Sequence, residues 1–393
     1  IALTANLALD LTVNTDFAQV EADQEQVNLT RFSLYYPEKR DFFLEGAEIF
    51  TFGGTGHWGH GYTDMNLFYS RRLGLVDGHE ARILGGAKMV GKIGQYRIGM
   101  MNIFTDDVSY VDGYDETVKA NSTNFSVLRL SRDIMRRGSI GMMVLNKQEV
   151  NSQHYNRSFG LDGHLPLTNH FTVSGYLAGT SGPEQVIDGK KIDMNRENLA
   201  GKLSLDYNSD LWQFSTTYQD IGDRFNPEMG FNRRTDYRLS SASIEYSPRP
   251  KESKLIRQFK YQLDGNYRAD HDQRMLDNEI EASFSIEFQN SSRLSVDVNR
   301  NTEFIDYDWE VREGFLIPSD NYSGYDYSMS AQSDKGRAIA GGINVNFGNY
   351  YTGKNTRFGI SGTVTRIQPI RMEIDYSHNY IDLPQGNFHT NTL

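Results

Sequence analysis

The chain has no cysteine. That excludes a disulfide framework and a thiolate metal site. It has no long hydrophobic run: nothing approaches the ~20 apolar residues that a spanning helix requires. It is short of positive charge, with 40 Lys and Arg against 51 Asp and Glu and a formal net charge of -11. Nucleic acid needs a basic footprint, so that partner is not expected. There is no Gly-x-Ser-x-Gly elbow, no phosphate-binding loop and no defensible Ser-His-Asp set. No repeat of fixed period supports a propeller. No secretory leader is visible, and the chain opens Ile1-Ala2-Leu3 without an initiator methionine.

What is abundant is glycine (36), tyrosine (23) and phenylalanine (22), distributed with a period of two. Successive side chains of a strand point to opposite faces, so a half-buried strand alternates. Phe159, Leu161, Gly163 and Leu165 alternate with Ser158, Gly160, Asp162 and His164. Leu199, Gly201, Leu203, Leu205 and Tyr207 oppose Lys202, Ser204 and Asp206. The pattern recurs at Phe259–Arg268, at Glu279–Phe288, at Arg293–Asn299 and at Ile370–Asn379. The runs last about 9–11 residues, enough for a tilted strand to cross a hydrocarbon layer. Ordinary strands average about 5–6. Apolar rows end in aromatics, as an interfacial girdle requires, and the opposite rows are polar with mixed charge. The segments near 124–132 and 236–246 alternate poorly, so their registers stay open.

Connections alternate in length. Short turns are expected near 94–95, 133–138, 168–170, 208–211, 289–292 and 367–369. Long polar connections are expected at 105–123, 148–157, 181–197, 221–235, 269–278 and 301–321. The expected fold is all-β: a large antiparallel transmembrane β-barrel of about 16–18 or more strands, apolar outside and polar within. One domain, 1–393, is expected, incomplete at both ends. A soluble sandwich or β-helix is the competing architecture, and strand length and aromatic ends weigh against it.

Residues 15–64 break the rhythm and are read as a non-strand insert, lumenal or capping. Glu38, Lys39, Arg40, Asp41, Glu45 and Glu48 stand there among aromatics. Two carboxyls at the right separation would cleave glycosides; a salt-bridged plug is the plainer reading, and no catalytic residue is assigned. His57, His60 and Asp64 on a glycine-rich stretch have loose zinc spacing and read better as loop. Asp106, Asp107, Asp112, Asp115 and Glu116 lack the spacing of a calcium hand; calcium in such a loop is the one cofactor considered. Asp264, Glu281, Glu287, Arg293, Asp297 and Arg371 fall on polar rows and are expected to line the lumen. Strict up-and-down counting puts 15–64 at the end of the short turns. A turn at Leu3-Thr4-Ala5-Asn6 would move it to the other end.

The stretches LDLTVNTDFAQVEAD (9–23) and NLTRFSLYYPEKRDFFLEGAEIF (28–50) resemble a Bacteroidota-type family of outer-membrane barrels of unknown function. YSRRLG (69–74), GGAKMVGKIGQY (85–96), NFSVLRLSRDI (124–134), FNPEMGFNRRTDYR (225–238) and LPQGNFHTNTL (383–393) extend the match along the whole chain. Thr15 and Asp41 stand where the family usually has proline. The resemblance implies further strands past the last segment and, before the barrel, a carbohydrate-binding-like domain of family-nine type. No sugar-binding or catalytic residue carries over from it. Outer-membrane lipid and lipopolysaccharide are the implied partners, with glycans and other envelope proteins behind them. The functions implied are solute passage linked to glycan handling, a plugged anchor or scaffold, and last a membrane-embedded hydrolase.

Overall fold

The computed structural model describes residues 2–4, 6–15, 27–53, 65–76, 78–111, 116–183, 186–187, 190–191, 196–367 and 370–393. Side chains at 2–4, 15, 186–187, 190–191, 366–367 and 370–371 are outside that description. The described chain is nearly all β, and nineteen strands belong to one main sheet. Every described pair in it is antiparallel and joins strands that follow one another in sequence. The all-β, antiparallel expectation holds. Among the described residues, β19 (Gly386–Thr392) pairs with β18 (Ile370–Leu383) and with no second strand. The chain divides into two compact units.

Unit 1 holds β1 (Ala2–Thr4), β2 (Leu7–Thr15), β3 (Ile83–Ile93), β4 (Tyr96–Thr105), β5 (Thr123–Ile134), β6 (Gly138–Glu149), β7 (Tyr155–Pro166) and β8 (Phe171–Ser181). β9 (Leu199–Asn208) and β10 (Trp212–Ile221) give residues to both units. Turns 94–95 and 135–137 are tight, as the sequence implies. β1 pairs antiparallel with β2, and β2 pairs with β3 from Leu7–Gly91 to Thr15–Ile83. Thr15 and Ile83 therefore stand at the end of these strands opposite the 94–95 turn. This corrects the strict count and follows from the antiparallel pairing of β2 with β3.

The poor alternation of β5 has a structural cause. Phe125, Val127, Met143 and Leu145 are buried on one face of β5 and β6, while Leu128, Met142 and Val144 are exposed on the other. Both faces are apolar because the first is covered by the insert. Register is nonetheless continuous, from Thr123–Glu149 to Ile134–Gly138.

Unit 2 holds β11 (Tyr237–Tyr246), β12 (Ile256–Ala269), β13 (Met275–Phe288), β14 (Arg293–Phe304), β15 (Asn321–Gln332), β16 (Ile339–Tyr350), β17 (Gly353–Ile367), β18 and β19, apart from Tyr237 itself. Alternation here is clean: Leu263, Ile280, Val296, Met329, Ile343 and Ile360 are exposed on the apolar face. The connection anticipated at 269–278 is shorter than expected, because β12 runs to Ala269 and β13 starts at Met275. The Asp270 carboxylate closes it by accepting from the Arg274 amide at 2.7 Å and from its guanidinium at 3.0 Å. A side-chain clasp replaces the longer loop.

Candidate functional site

The described part of the insert, 27–53, contains no strand, as the sequence implies. It has one short helix, Asp41–Leu44, and one 3-10 turn, Ala47–Phe50. Its residues 32–53 belong to unit 1, where they lie against the face of β2–β8 that bears Lys88, Arg129 and Asp162. Lys88 is the anchor. Its side chain is 1% exposed and its ammonium donates to the Phe42 carbonyl at 2.6 Å and the Glu45 carbonyl at 2.7 Å. These are carbonyls at the end of the short helix, where backbone acceptors have no partner within the helix. The Asp10 carboxylate on the neighbouring strand sits 3.4 Å from the same ammonium. Burying an ammonium costs several kcal/mol unless it is paired and hydrogen-bonded, and here both conditions hold.

A second anchor lies further along. Arg129 on β5 and Asp162 on β7 form a bidentate pair, and the Gly53 amide donates to Asp162 Oδ2 at 3.3 Å. The Phe52 ring stands over the Arg129 guanidinium, 5.8 Å from its centroid, and 5.5 Å from the Tyr176 ring. It lies flat on Gly160, where an added Cβ would meet Phe52 at 2.3 Å. Only glycine fits beneath it.

The predicted charged group is split by the fold. Glu38 and Arg40 form a tight pair, with Arg40 donating to both Glu38 oxygens at 2.8 and 2.7 Å. Ser70 adds a hydroxyl to Glu38 at 2.6 Å, and Arg40 also reaches the Leu73 and Ser70 carbonyls. Burial works against the Glu38 carboxylate, but the hydrogen bonds and charge of Arg40 with the Ser70 hydroxyl outweigh it and hold the group below the usual carboxylate range. Burial pushes the Tyr69 phenol up to about 12, and its hydroxyl donates to the Tyr36 carbonyl. Lys39 is half-buried, and Asp41, Glu45 and Glu48 are exposed. With both Glu38 oxygens committed to Arg40 and Ser70, the arrangement fastens the insert.

In unit 2, residues 27–31 have their own seat. Arg31 reaches Glu303 and Asp306, each at 3.2 Å, and the Phe304 carbonyl at 3.1 Å. Tyr350 donates to the Leu29 carbonyl at 2.9 Å. Leu29 packs on a buried cluster of Ile305, Ile317, Ile381, Leu383 and Phe388.

The polar face of unit 2 brings the predicted wall residues together. Asp264 faces Glu281 across β12 and β13, and Ser283 faces Asp297 across β13 and β14. Glu279 and Asp326 join them. The donors to these carboxylates are neutral: Gln262 to Asp264 at 3.1 Å, Ser283 to Glu281 at 3.0 Å, Asn299 to Glu279 at 2.6 Å and Asn301 to Asp326 at 3.0 Å. Glu287 and Arg293 sit apart, at the 289–292 turn, where Arg257 donates to Glu287 at 3.0 Å and Arg293 stands 3.9 Å away. Arg371 is on β18, and its side chain lies outside the described residues. His57, His60, Asp64, Asp112 and Asp115 also lie outside them; among the described residues no cluster of metal-ligand type occurs.

Lys88, Arg129, Asp162, Lys147 and Glu228 were not singled out from sequence. For the four that stand on strands the one sequence signal is a charge on an otherwise glycine-rich or apolar row, which costs too much to leave unpaired; Glu228, in a loop, has none. Lys147 pairs with Glu228 at 2.7 Å, and His154 Nε2 stands 3.1 Å from the same carboxylate.

These features define a class: a long-stranded antiparallel sheet, apolar on one exposed face, with a charged insert pinned to the other. The chain belongs to the family described as a domain of unknown function, DUF5916, whose pattern matches residues 2–382. No curated protein matches it. Among solved structures it is similar to the outer membrane protein OpdK of Pseudomonas aeruginosa, at 10% identity and a TM-score of 0.45, over 80% of this chain and 91% of that one. OccAB2 of Acinetobacter baumannii gives 10% and 0.45 over 79% and 92%. A BenF-like porin from Pseudomonas fluorescens Pf-5 gives 9% and 0.45 over 79% and 90%.

Proposed function

We propose that the chain forms the wall of an outer-membrane β-barrel that passes polar solutes, with 27–53 seated inside it as a partial plug. One observation carries this reading: the exposed face is apolar and the sheltered face is polar. Leu177 is 69% exposed and Leu161 61%, and the opposite face of the same sheet holds the buried Arg129 and Asp162 pair. A soluble sheet buries its apolar row; a lipid-facing barrel shows it outward. The unit 2 wall is lined by carboxylates, amides and hydroxyls, which suits a wet passage for solutes.

The second reading is a plugged anchor for a carbohydrate-binding domain or an envelope assembly. The depth of the insert's seat on Lys88 and Arg129 favours it. The link to glycans rests on the family resemblance alone. Planar-bilayer conductance separates the two. The passage reading expects single-channel steps from the intact protein. A silent protein that conducts only when 27–53 is deleted supports the anchor, and one silent in both forms overturns passage.

A further inference from the structure

The short-turn end of unit 1 is basic in an acidic chain. Residues 92–97 and 132–137 hold Lys92, Arg97, Arg132, Arg136 and Arg137 against one acid, Asp133, while the formal net charge of the whole chain is -11. That acid is already taken. Asp133 accepts from Lys92 at 2.6 Å and from Arg97 Nε at 3.0 Å. These three stand on the row that also bears Arg129, the polar face. Arg132 is one residue off and stands on the apolar face. Arg136 and Arg137 lie exposed in the turn. None of these last three guanidiniums enters an ion pair among the described residues.

Apolar side chains surround these cations. Ile93, Tyr96, Arg132 and Ile140 lie opposite one another in register across β3 to β6, and all are exposed. The Arg132 guanidinium stands over the Tyr96 ring, 5.4 Å from its centroid. Met135 opens the turn in the left-handed region, at φ 55°, and is 66% exposed. Glycine or asparagine takes that conformation more cheaply, so the turn itself does not call for methionine. An aromatic and a cation at the end of an apolar strand row mark the headgroup level of a bilayer. Further along the same face is a groove of about 380 Å³, with Met89, Met100, Leu128 and Val144 at its near end. The small side chains of Ala87 and Ser126 deepen it. Its far end is closed by Asn102, which donates to Ser126 at 2.9 Å and to Asn124 at 3.1 Å. Arg132 and Leu128 are four residues apart on one strand, roughly 14 Å at about 3.4 Å per residue.

We propose that this end of unit 1 seats a phospholipid with an anionic headgroup. Its phosphate answers Arg132, Arg136 and Arg137, and an acyl chain runs along the apolar face into the groove at Met100 and Leu128. The guanidinium fork matches phosphate oxygens in pairs, and no carboxylate competes for these three. A zwitterionic lipid brings its own cation to the same arginines, so the site selects against it. Lipopolysaccharide also carries phosphate, but in an outer membrane it lies at the end of the long loops, away from the short turns. The inference rests on the lipid-facing reading of the apolar face and gives that face a specific partner.

The test uses the full chain in detergent micelles holding equal amounts of phosphatidylglycerol and phosphatidylcholine. Native mass spectrometry counts the lipids each protein molecule keeps. Phosphatidylglycerol is expected to be kept about tenfold or more over phosphatidylcholine. Arg136→Gln with Arg137→Gln is expected to cut that ratio about fivefold or more, and Arg132→Gln to cut it as well. Arg82→Gln with Lys119→Gln removes the same charge at the opposite end of these strands and is expected to leave the ratio unchanged. Ala87→Phe fills the groove without touching a charge and is expected to lower phosphatidylglycerol retention. Circular dichroism checks that each variant is folded. Parity of the two lipids, an equal loss in the opposite-end pair, or indifference to Ala87→Phe would each overturn the assignment. Displacement of phosphatidylglycerol by an equal amount of lipopolysaccharide would overturn the choice of lipid. A protein that stays soluble without detergent sinks the lipid-facing reading and this site together; one that needs detergent and shows parity sinks the site alone.

Discussion

At the residue scale, the most exacting position is Lys88. Its ammonium is out of water and holds two backbone carbonyls that belong to a different part of the chain. Lys88→Met keeps the stem and removes the charge, leaving Asp10 beside an apolar group. Breaking a buried pair in this way costs on the order of 3–5 kcal/mol. The expected result is a lower melting temperature and early proteolytic cutting within 40–53, with Asp10→Asn partly restoring both. An uncut, equally stable Lys88→Met protein would remove Lys88 from this role. Glu38 sets a pH dependence. Its carboxyl is held below the ordinary range, so its contribution is complete above that range and is lost as pH falls through the depressed value. Protection of 27–53 from protease is expected to fall at the acid end in the native protein. In Glu38→Gln it should be weak at every pH and flat across that window. Neither residue's partner was legible in sequence. A strand pattern places Lys88 on a face, but it says nothing of the Phe42 and Glu45 carbonyls that receive it.

At the scale of elements, strands and insert differ in how far they can be read. β12, β13 and β14 were plain because each carries one apolar row and one polar row. β5 was obscure because the insert buries its inner row, so both rows are apolar. β11 was obscure for another reason: Ser240, Ser241, Ala242 and Ser243 are too small to mark either face. The insert's non-strand character was legible, since charge and aromatics without a period of two cannot make a half-buried strand. Its seat was not. The polar row of unit 2 leads to a third prediction. Asp264, Glu279, Glu281 and Asp326 accept from amides and hydroxyls, and neither they nor Asp297 enter an ion pair among the described residues. A wall of that kind favours cations. The double variant Glu281→Gln with Asp297→Asn is expected to move the reversal potential in a salt gradient toward zero. A reversal potential that does not change would exclude this wall from the conducting path.

At the scale of the whole molecule, the exposed apolar face must meet something other than water. Val13 is 81% exposed, and Leu177, Leu263, Met329 and Ile343 repeat the exposure strand after strand. Single exposed apolar residues are ordinary, but continuous rows of them are not. The protein is therefore expected to stay with the membrane through high salt and alkaline washing and to leave it only with detergent. Release by salt alone would contradict the lipid-facing reading. No helix in the described residues is long and apolar enough to cross a membrane.

The sequence by itself determined that the chain is a set of long antiparallel strands, which row of each is apolar, and where the insert interrupts them. It could do so because alternation is local: consecutive side chains of a strand have no choice but opposite faces. Only the tertiary structure decided what the charges are for. Lys88 finds carbonyls more than forty residues away, and Arg129 and Asp162 meet across an intervening strand to hold Gly53. The alternation of side chains marked the strands; the contacts between distant segments then fastened the insert to their polar face.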